Sequence, residues 1–344
     1  MSATNRGYVC LGGINMNEIN LTIYDSQYKA KSLVDNYSNI MCSISGGSDS
    51  DILLDLIYKV DTNKKVKYVF FETGLEYKAT REHLKHLEDK YKIKIYREWA
   101  KIPIPLATLR FGQPFLSKRV SENISRLQKH GFKWENESYE TLKEKYPRCL
   151  SALKWWTNSY PKKSNGSESS FNINYNKYLK EFMLMHPPTF KISKDCCKYA
   201  KKDVAHNFKK RHNIELSIVG VRKSEGGVRA TSYKNCITYG KKENDVIEYR
   251  PIFWFKNEDK AVYNLLNNIE NSKCYTDYGL KRTGCAGCPL GRNLNEEIEV
   301  VKEHEPKLYK AIKNIFKETY EYTELYRKFV KRMKQGEIKN ECIR

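Results

Sequence analysis

The sequence predicts an α/β protein built on a parallel sheet, with a helical insertion and a helical C-terminal region. Three observations carry that expectation. Short apolar runs alternate with amphipathic segments from residue 40 to 99, a glycine-rich turn joins the first such pair, and the alternation then lapses into helical patterns. A length of 344 residues suits two domains, or one domain that carries an insertion.

Residues 1–38 form an N-terminal extension whose one patterned stretch is a polar helical segment over 28–37. The first part of the α/β domain occupies 39–101. Ile40, Met41, Cys42 and Ile44 make a buried strand, Ser45 to Ser48 a tight turn, and 49–60 a helix with Ile52, Leu53, Leu56 and Ile57 on one face. A strand over 66–71, a helix over 77–91 and a strand over 94–97 repeat the unit, as right-handed crossovers between parallel strands require.

Residues 102–190 read as a helical insertion or lid, with helices over 121–130, 139–145, 148–156 and 175–185 and a turn-rich loop at 161–167. The second part of the domain, 191–292, holds a helix over 195–212, strands over 216–221 and 249–255, and a helix over 258–267. Two helices, over 296–316 and 318–334, and a tail complete the C-terminal region at 293–344.

Composition narrows the function classes. Lys and Arg number 62 against 41 Asp and Glu, a formal charge of +21, which points toward a polyanion or to a solvated surface in a lysine-rich chain. No apolar run approaches the roughly 18 residues needed to cross a bilayer, and no signal-peptide order opens the chain. A soluble cytoplasmic protein without a membrane partner is expected. In that compartment thiols are kept reduced, so ten cysteines do not suit a disulfide framework and their spacing carries the information.

Ser45-Gly46-Gly47-Ser48-Asp49-Ser50 lies where a strand passes into a helix, the place where backbone amides and a helix N-terminus hold an anion. Gly46 and Gly47 let the main chain approach phosphate oxygens, Ser45, Ser48 and Ser50 can add hydroxyl donors, and Asp49 can hold a magnesium ion. The Gly-Lys-Ser/Thr ending of a Walker loop is absent. Cys196-Cys197, Cys236 and Cys285-Ala286-Gly287-Cys288-Pro289 form the metal signal. Four thiolates suit an iron–sulfur cluster or a structural zinc, with Cys285 and Cys288 the firmest members, Cys197, Cys196 or both next, and Cys236 a possible fourth. Cys10, Cys42 and Cys149 read as buried or incidental thiols.

The Ser45–Ser50 loop resembles the Ser-Gly-Gly-x-Asp-Ser signature of the PP-loop ATP pyrophosphatase superfamily, and later motifs resemble its phosphoadenosine phosphosulfate reductase branch. The resemblance covers residues 40–99 and 190–292 and implies a Rossmann-like adenine nucleotide alpha hydrolase fold. Glu72-Thr73-Gly74-Leu75-Glu76 matches the branch's Asp-Thr-Gly-x-Glu motif with Glu72 in the place of Asp, and implies a loop flanking the adenosine. Gly220-Val221-Arg222 and Arg229 resemble its phosphate-binding arginines. The adjacent cysteines followed much later by Cys-x-x-Cys resemble the 4Fe-4S pattern of adenylyl sulfate reductases. Cys342 keeps the Glu-Cys pair of the reductases' C-terminal nucleophile motif but lacks its glycine and histidine.

Three functional readings follow from the residues and this resemblance. In the first, the chain binds ATP and cleaves it to AMP and pyrophosphate, with Asp49, Arg222 and Arg229 at the phosphates, to activate an acceptor for sulfur transfer. DNA or RNA as acceptor would use the basic stretches at Lys191–Arg211 and at Lys118, Arg119, Arg126, Lys129 and Lys133, the latter interleaved with Phe115, Phe132 and Trp134. In the second, it is a sulfonucleotide reductase that uses Cys342 and thioredoxin. In the third, it is a nucleotide-sensing, DNA-binding regulator without catalysis. The complete phosphate loop favours ATP, because sulfonucleotides have no β- and γ-phosphates to hold. Trp155 and Trp156 read as core.

Overall fold

The computed structural model describes residues 16–226, 232–240 and 245–337. Its elements run in the order α1 (Met16–Asn36), β1 (Ile40–Ile44), α2 (Ser48–Val60), β2 (Val66–Glu72), α3 (Lys78–Tyr91), β3 (Ile95–Trp99), α4 (Ile104–Phe111), α5 (Lys118–Lys129), α6 (Tyr139–Lys145), α7 (Leu150–Trp156) and α8 (Leu179–Met185). A π-helical turn over Lys198–Lys202 leads into α9 (Asp203–Arg211), then β4 (Leu216–Val219), β5 (Ile237–Thr238), β6 (Ile247–Tyr249), α10 (Asn257–Leu266) and α11 (Lys273–Thr276). The last three helices are α12 (Leu294–His304), α13 (Pro306–Ile315) and α14 (Lys317–Lys334). The chain divides into two compact units, one of Met1–Phe70, Ala79–Glu98 and Asn207–Thr283, the other of Phe71–Lys78, Trp99–His206 and Gly284–Arg344.

The first unit is built on a sheet of strand order β3-β2-β1-β4-β6-β5. Strand β1 pairs parallel with β2, from Ile40 opposite Val66 to Ile44 opposite Phe70, and with β4, from Ile40 opposite Leu216 to Ser43 opposite Val219. β6 is parallel to β4, and only β5 runs antiparallel. Ile40, Met41, Cys42 and Ile44 of β1 are buried on both faces of the strand, which explains why the segment reads as an apolar run broken only by Ser43 instead of an alternation. The core gathers Ile40, Cys42 and Ile44 with Ile52, Leu53 and Leu56 of α2, Ile218 of β4 and Tyr263 of α10. The expected α/β class is the one observed.

Two expectations in this unit need correction. Helix α1 begins at Met16, well before the predicted segment, because Ile23, Ala30 and Val34 turn inward while Leu21, Tyr24 and Tyr28 stay exposed and blur the helical period. The strand expected at 249–255 ends at Tyr249. Pro251 has no N–H for a ladder, and Phe253 N–H and Phe255 N–H instead bond the carbonyls of Arg250 and Ile252 in successive turns. Ile252, Phe253 and Phe255 are buried there, so the apolar run is core without being strand.

The second unit is helical around a core of Phe115, Leu127, Trp155, Trp156, Phe182 and Phe329. Its sequence pattern hides three boundaries. Pro103 and Pro105 make α4 look like loop, although proline suits the first turn of a helix. The predicted 296–316 helix breaks at Glu305, since Pro306 cannot continue α12 and instead opens α13. Tyr178, with φ 57°, separates a short 3₁₀ turn over Ile173–Tyr175 from α8, dividing the helix predicted over 175–185. Phe115 and Phe132 are buried, so these two rings of the predicted aromatic and basic stretch pack in the core and are not offered to a base. No helix among the described residues is long and apolar enough to cross a membrane.

Candidate functional site

In the first unit the turn after β1 has the shape an anion site needs. Gly46 adopts φ +63°, a left-handed conformation that side chains resist, and Gly47 N-caps α2. A Cβ on Gly47 would stand 2.8 Å from Thr283 Oγ1 and 3.1 Å from the Tyr275 hydroxyl, so the main chain is held close by α11 and the segment after it. Ser45 N–H donates to Ser50 Oγ at 2.8 Å, and Ser48 N–H donates to the Tyr275 hydroxyl at 3.2 Å. The first helical bond, from Asp51 N–H to Gly47 carbonyl, is 3.0 Å.

Two cations converge on this turn. Arg222, buried just beyond β4, donates from Nε to Asp49 Oδ2 at 2.9 Å and from its Nη1 to Ser224 Oγ at 2.9 Å and Asn257 Oδ1 at 3.1 Å. Lys260 on α10 donates from Nζ to Asp49 Oδ1 at 2.6 Å and to Ser48 Oγ at 2.5 Å. Burial pushes the Asp49 carboxyl upward, but the bonds from Lys260 and Arg222 outweigh it and hold the group below the usual carboxylate range. Each Asp49 oxygen thereby accepts from one of the two cations. Gly220 lies against the Asp49 carbonyl with a virtual Cβ at 3.6 Å, an ordinary contact. Lys260 was not among the residues singled out from sequence, where nothing distinguishes it from the chain's other helical lysines.

The second signature loop and four of the cysteines lie in the second unit. Glu76 organises that loop: its carboxylate accepts from Thr73 N–H at 2.6 Å, from Gly74 N–H at 3.0 Å and from the Thr73 hydroxyl. Gly74 has φ +92° and packs under Pro103 and Pro105, and Glu72 is buried with its carbonyl accepting from Ala100 N–H. The loop is tied to the Cys285–Cys288 turn, for Ala286 N–H donates to Leu75 carbonyl at 2.9 Å and Thr73 Oγ1 lies 3.7 Å from Cys285 Sγ. Gly287, at φ +60°, donates from N–H to Glu297 Oε1 at 3.0 Å and accepts at its carbonyl from the Tyr320 hydroxyl.

Cys196 and Cys197 stand immediately before the π-helical turn, a local widening of the helix that recurs at functional sites. Hydrogen bonding from Cys196 draws the Cys197 thiol down to about 6; burial opposes this, and the charges of Lys118, Lys201 and Lys202 assist. Cys196 is driven upward by the same bond, by burial and by Cys197, Cys288 and Cys285. Burial and then Cys285 push Cys288 up to about 12, against a bond from Leu290 N–H. Lys201 keeps its proton more firmly because of Cys285 above all. Cys285 and Cys288 thus both act on Cys196 beside its neighbour Cys197. Among the described residues, no set of three or more His, Cys, Asp or Glu side chains is drawn together as a metal cage.

Cys236 belongs to the first unit, packs against its core, and exerts its charge on Lys29 and Tyr249. Cys42 and Cys149 are buried, and Cys274 Sγ lies 3.5 Å from the Thr80 hydroxyl. Arg229 and Cys342 lie outside the described residues.

The family model for the phosphoadenosine phosphosulfate reductase domain matches residues 39–143 and 159–291. An uncharacterised protein of Methanocaldococcus jannaschii is 25% identical over 297 residues, which make up 85% of this chain and 44% of that protein. The chain thus spans under half the length of this curated relative. Among solved structures, the phosphoadenylyl-sulfate reductase of Candida auris is similar at 15% identity and a TM-score of 0.41, over 81% of this chain and 98% of that one. The U34-tRNA thiolase NcsA of Methanococcus maripaludis, solved with its 4Fe-4S cluster, is similar at 10% identity and a TM-score of 0.36, over 89% of this chain and 80% of that one.

Proposed function

The chain belongs to the phosphoadenosine phosphosulfate reductase domain family of PP-loop enzymes, and from that premise we propose that it binds ATP at Ser45–Ser50 and cleaves it to AMP and pyrophosphate. The observation that carries the reading is the convergence of Arg222 and Lys260 on Asp49 at the start of α2. Two cations and a helix N-terminus face Asp49, while the second acid of this turn, Asp51, is buried against His83; an arrangement of donors and positive charge of this kind suits the phosphates of a nucleotide. An acceptor oxygen attacks the α-phosphorus, the bond from that phosphorus to the bridging oxygen of pyrophosphate breaks, and the cations neutralise the charge gathering on the leaving group. The adenylylated acceptor is then open to displacement of AMP by a sulfur donor.

A nucleic acid is the acceptor that the charge of +21 favours. Cys196, Cys197, Cys285 and Cys288 are the residues to hold a 4Fe-4S cluster: four thiols, Cys285 and Cys288 both acting on Cys196, near Lys118, Lys201 and Lys202, with the Leu290 N–H directed at Cys288. Bound there, the cluster would supply a centre for sulfur handling. Zinc is the alternative for the same thiols, and iron with acid-labile sulfide in anaerobically purified protein decides between them.

The test of the reaction is product analysis with ATP, a sulfur donor, and either transfer RNA or duplex DNA. AMP and pyrophosphate released in proportion to added nucleic acid are expected. ADP as product, or turnover indifferent to nucleic acid, contradicts the proposal. The family's own description favours a second reading, reduction of a sulfonucleotide with Cys342 as nucleophile and thioredoxin as reductant. A chain ending at Glu341 would then lose sulfite release, whereas ATP cleavage would survive the truncation under the first reading.

A further inference from the structure

We propose that Lys260 is a pyrophosphate-recognition residue, one that lets the loop distinguish a nucleotide with β- and γ-phosphates from AMP. The inference rests on the ATP reading for its ligand, but it starts from a difference between the two cations. Arg222 is anchored by Asp49, Ser224 and Asn257, so moving it would break three sets of bonds and bury a charge without partners. Among the described residues, the Lys260 ammonium is held only by the loop itself, through Ser48 and Asp49.

The start of α10 fixes where the lysine stands. Lys256 N–H donates to Asp259 Oδ2 at 2.6 Å and closes the first turn, and Asp259 is buried. From that fixed base a flexible four-carbon stem carries the ammonium to the N-terminus of α2. The side chain keeps 20% of its exposure, so solvent and an incoming anion reach it.

An ammonium has three donors. Two are on Ser48 and Asp49, and among the described residues the third has no partner. Asp49 alone cannot neutralise Lys260 and Arg222 together, and the other acid of this turn, Asp51, is buried against His83, where burial pushes its carboxyl upward. An arriving pyrophosphate group competes with Asp49 for the ammonium, while Arg222 continues to satisfy the carboxylate. Lys260 therefore exchanges one oxygen partner for another without leaving Asp49 unpaired. Lysine suits this exchange better than arginine, being a compact charge on a mobile stem.

The experiment is calorimetric titration of the full chain with ATP, AMP and inorganic pyrophosphate, using wild type, Lys260→Met and Lys260→Arg. Lys260→Met should raise the Kd for ATP and for pyrophosphate about 10- to 100-fold, the range expected for a charged hydrogen bond, while that for AMP moves less than about twofold. Lys260→Arg should recover most of the loss. An unchanged Kd for ATP and pyrophosphate overturns the assignment, and so does an equal loss for all three ligands, which would mark a structural lysine. A wild-type chain that binds pyrophosphate but not ATP contradicts the ATP reading alone. The Lys260 assignment then stands if Lys260→Met weakens pyrophosphate and falls if it does not.

Discussion

Asp49 organises the start of α2 by pairing with two cations. It holds Arg222 and Lys260 in place over the loop, and removing it would leave two like charges facing each other at the N-terminus of α2. Its folded pKa is lowered by those partners despite burial. The ionised carboxylate therefore stabilises the fold at pH values above its unfolded pKa of about 3.9, and that contribution is lost as pH falls through the folded value. Asp49→Asn should cost about 1–3 kcal/mol near neutrality. In denaturant titrations repeated at falling pH, the gap between variant and wild type should close, and a gap of constant size would contradict this account. Asp49 and Arg222, which the structure pairs, drew attention in the sequence because their motifs are contiguous or sit at a strand end. Lys260 did not, since its role comes from α10 packing against α2, and no short-range pattern records that contact.

At the scale of elements, legibility followed local chemistry. β1, the loop and α2 stood out because apolar run, glycine turn and helical period agree over a short stretch, and α6 was bounded correctly between its Ser138 cap and Tyr146. The π-helical turn after Cys197 and the double role of Pro306 depend on how the chain is accommodated afterwards. The Cys285–Cys288 turn is the element most exposed to a test. A Cβ on Gly287 would stand 2.5 Å from Ile312 Cδ1 and 2.6 Å from the Tyr320 hydroxyl, at a φ of +60°. Gly166 also has positive φ, +76°, but a Cβ there meets nothing within 4 Å. Gly166→Ala should cost only the backbone strain, about 1 kcal/mol, whereas Gly287→Ala adds overpacking of about 1–3 kcal/mol. Equal denaturant midpoints for the two variants would show that α13 and α14 yield to the intruding methyl.

At the scale of the molecule, the charge of +21 is unevenly used. Some of the 62 Lys and Arg are neutralised in i, i+4 pairs such as Lys29 with Asp25 and Lys31 with Asp35, which describe a solvated helix face and add nothing to the net charge. In the second unit the lysines press on one another: burial and then the charges of Lys202 and Lys118 make Lys194 release its proton more readily, and Lys118 and Lys202 also act on Cys197. A polyanion relieves such repulsion. The nucleic-acid proposal therefore predicts binding that weakens steeply with salt, because each phosphate contact on a duplex adds about 0.9 to the slope of log K against log salt. Replacing Lys118, Lys198 and Lys202 together by Gln should lower that slope by about two to three while ATP binding in the first unit is retained. A slope equal to that of wild type would remove these lysines from the nucleic-acid surface, and binding indifferent to salt would remove the polyanionic acceptor itself.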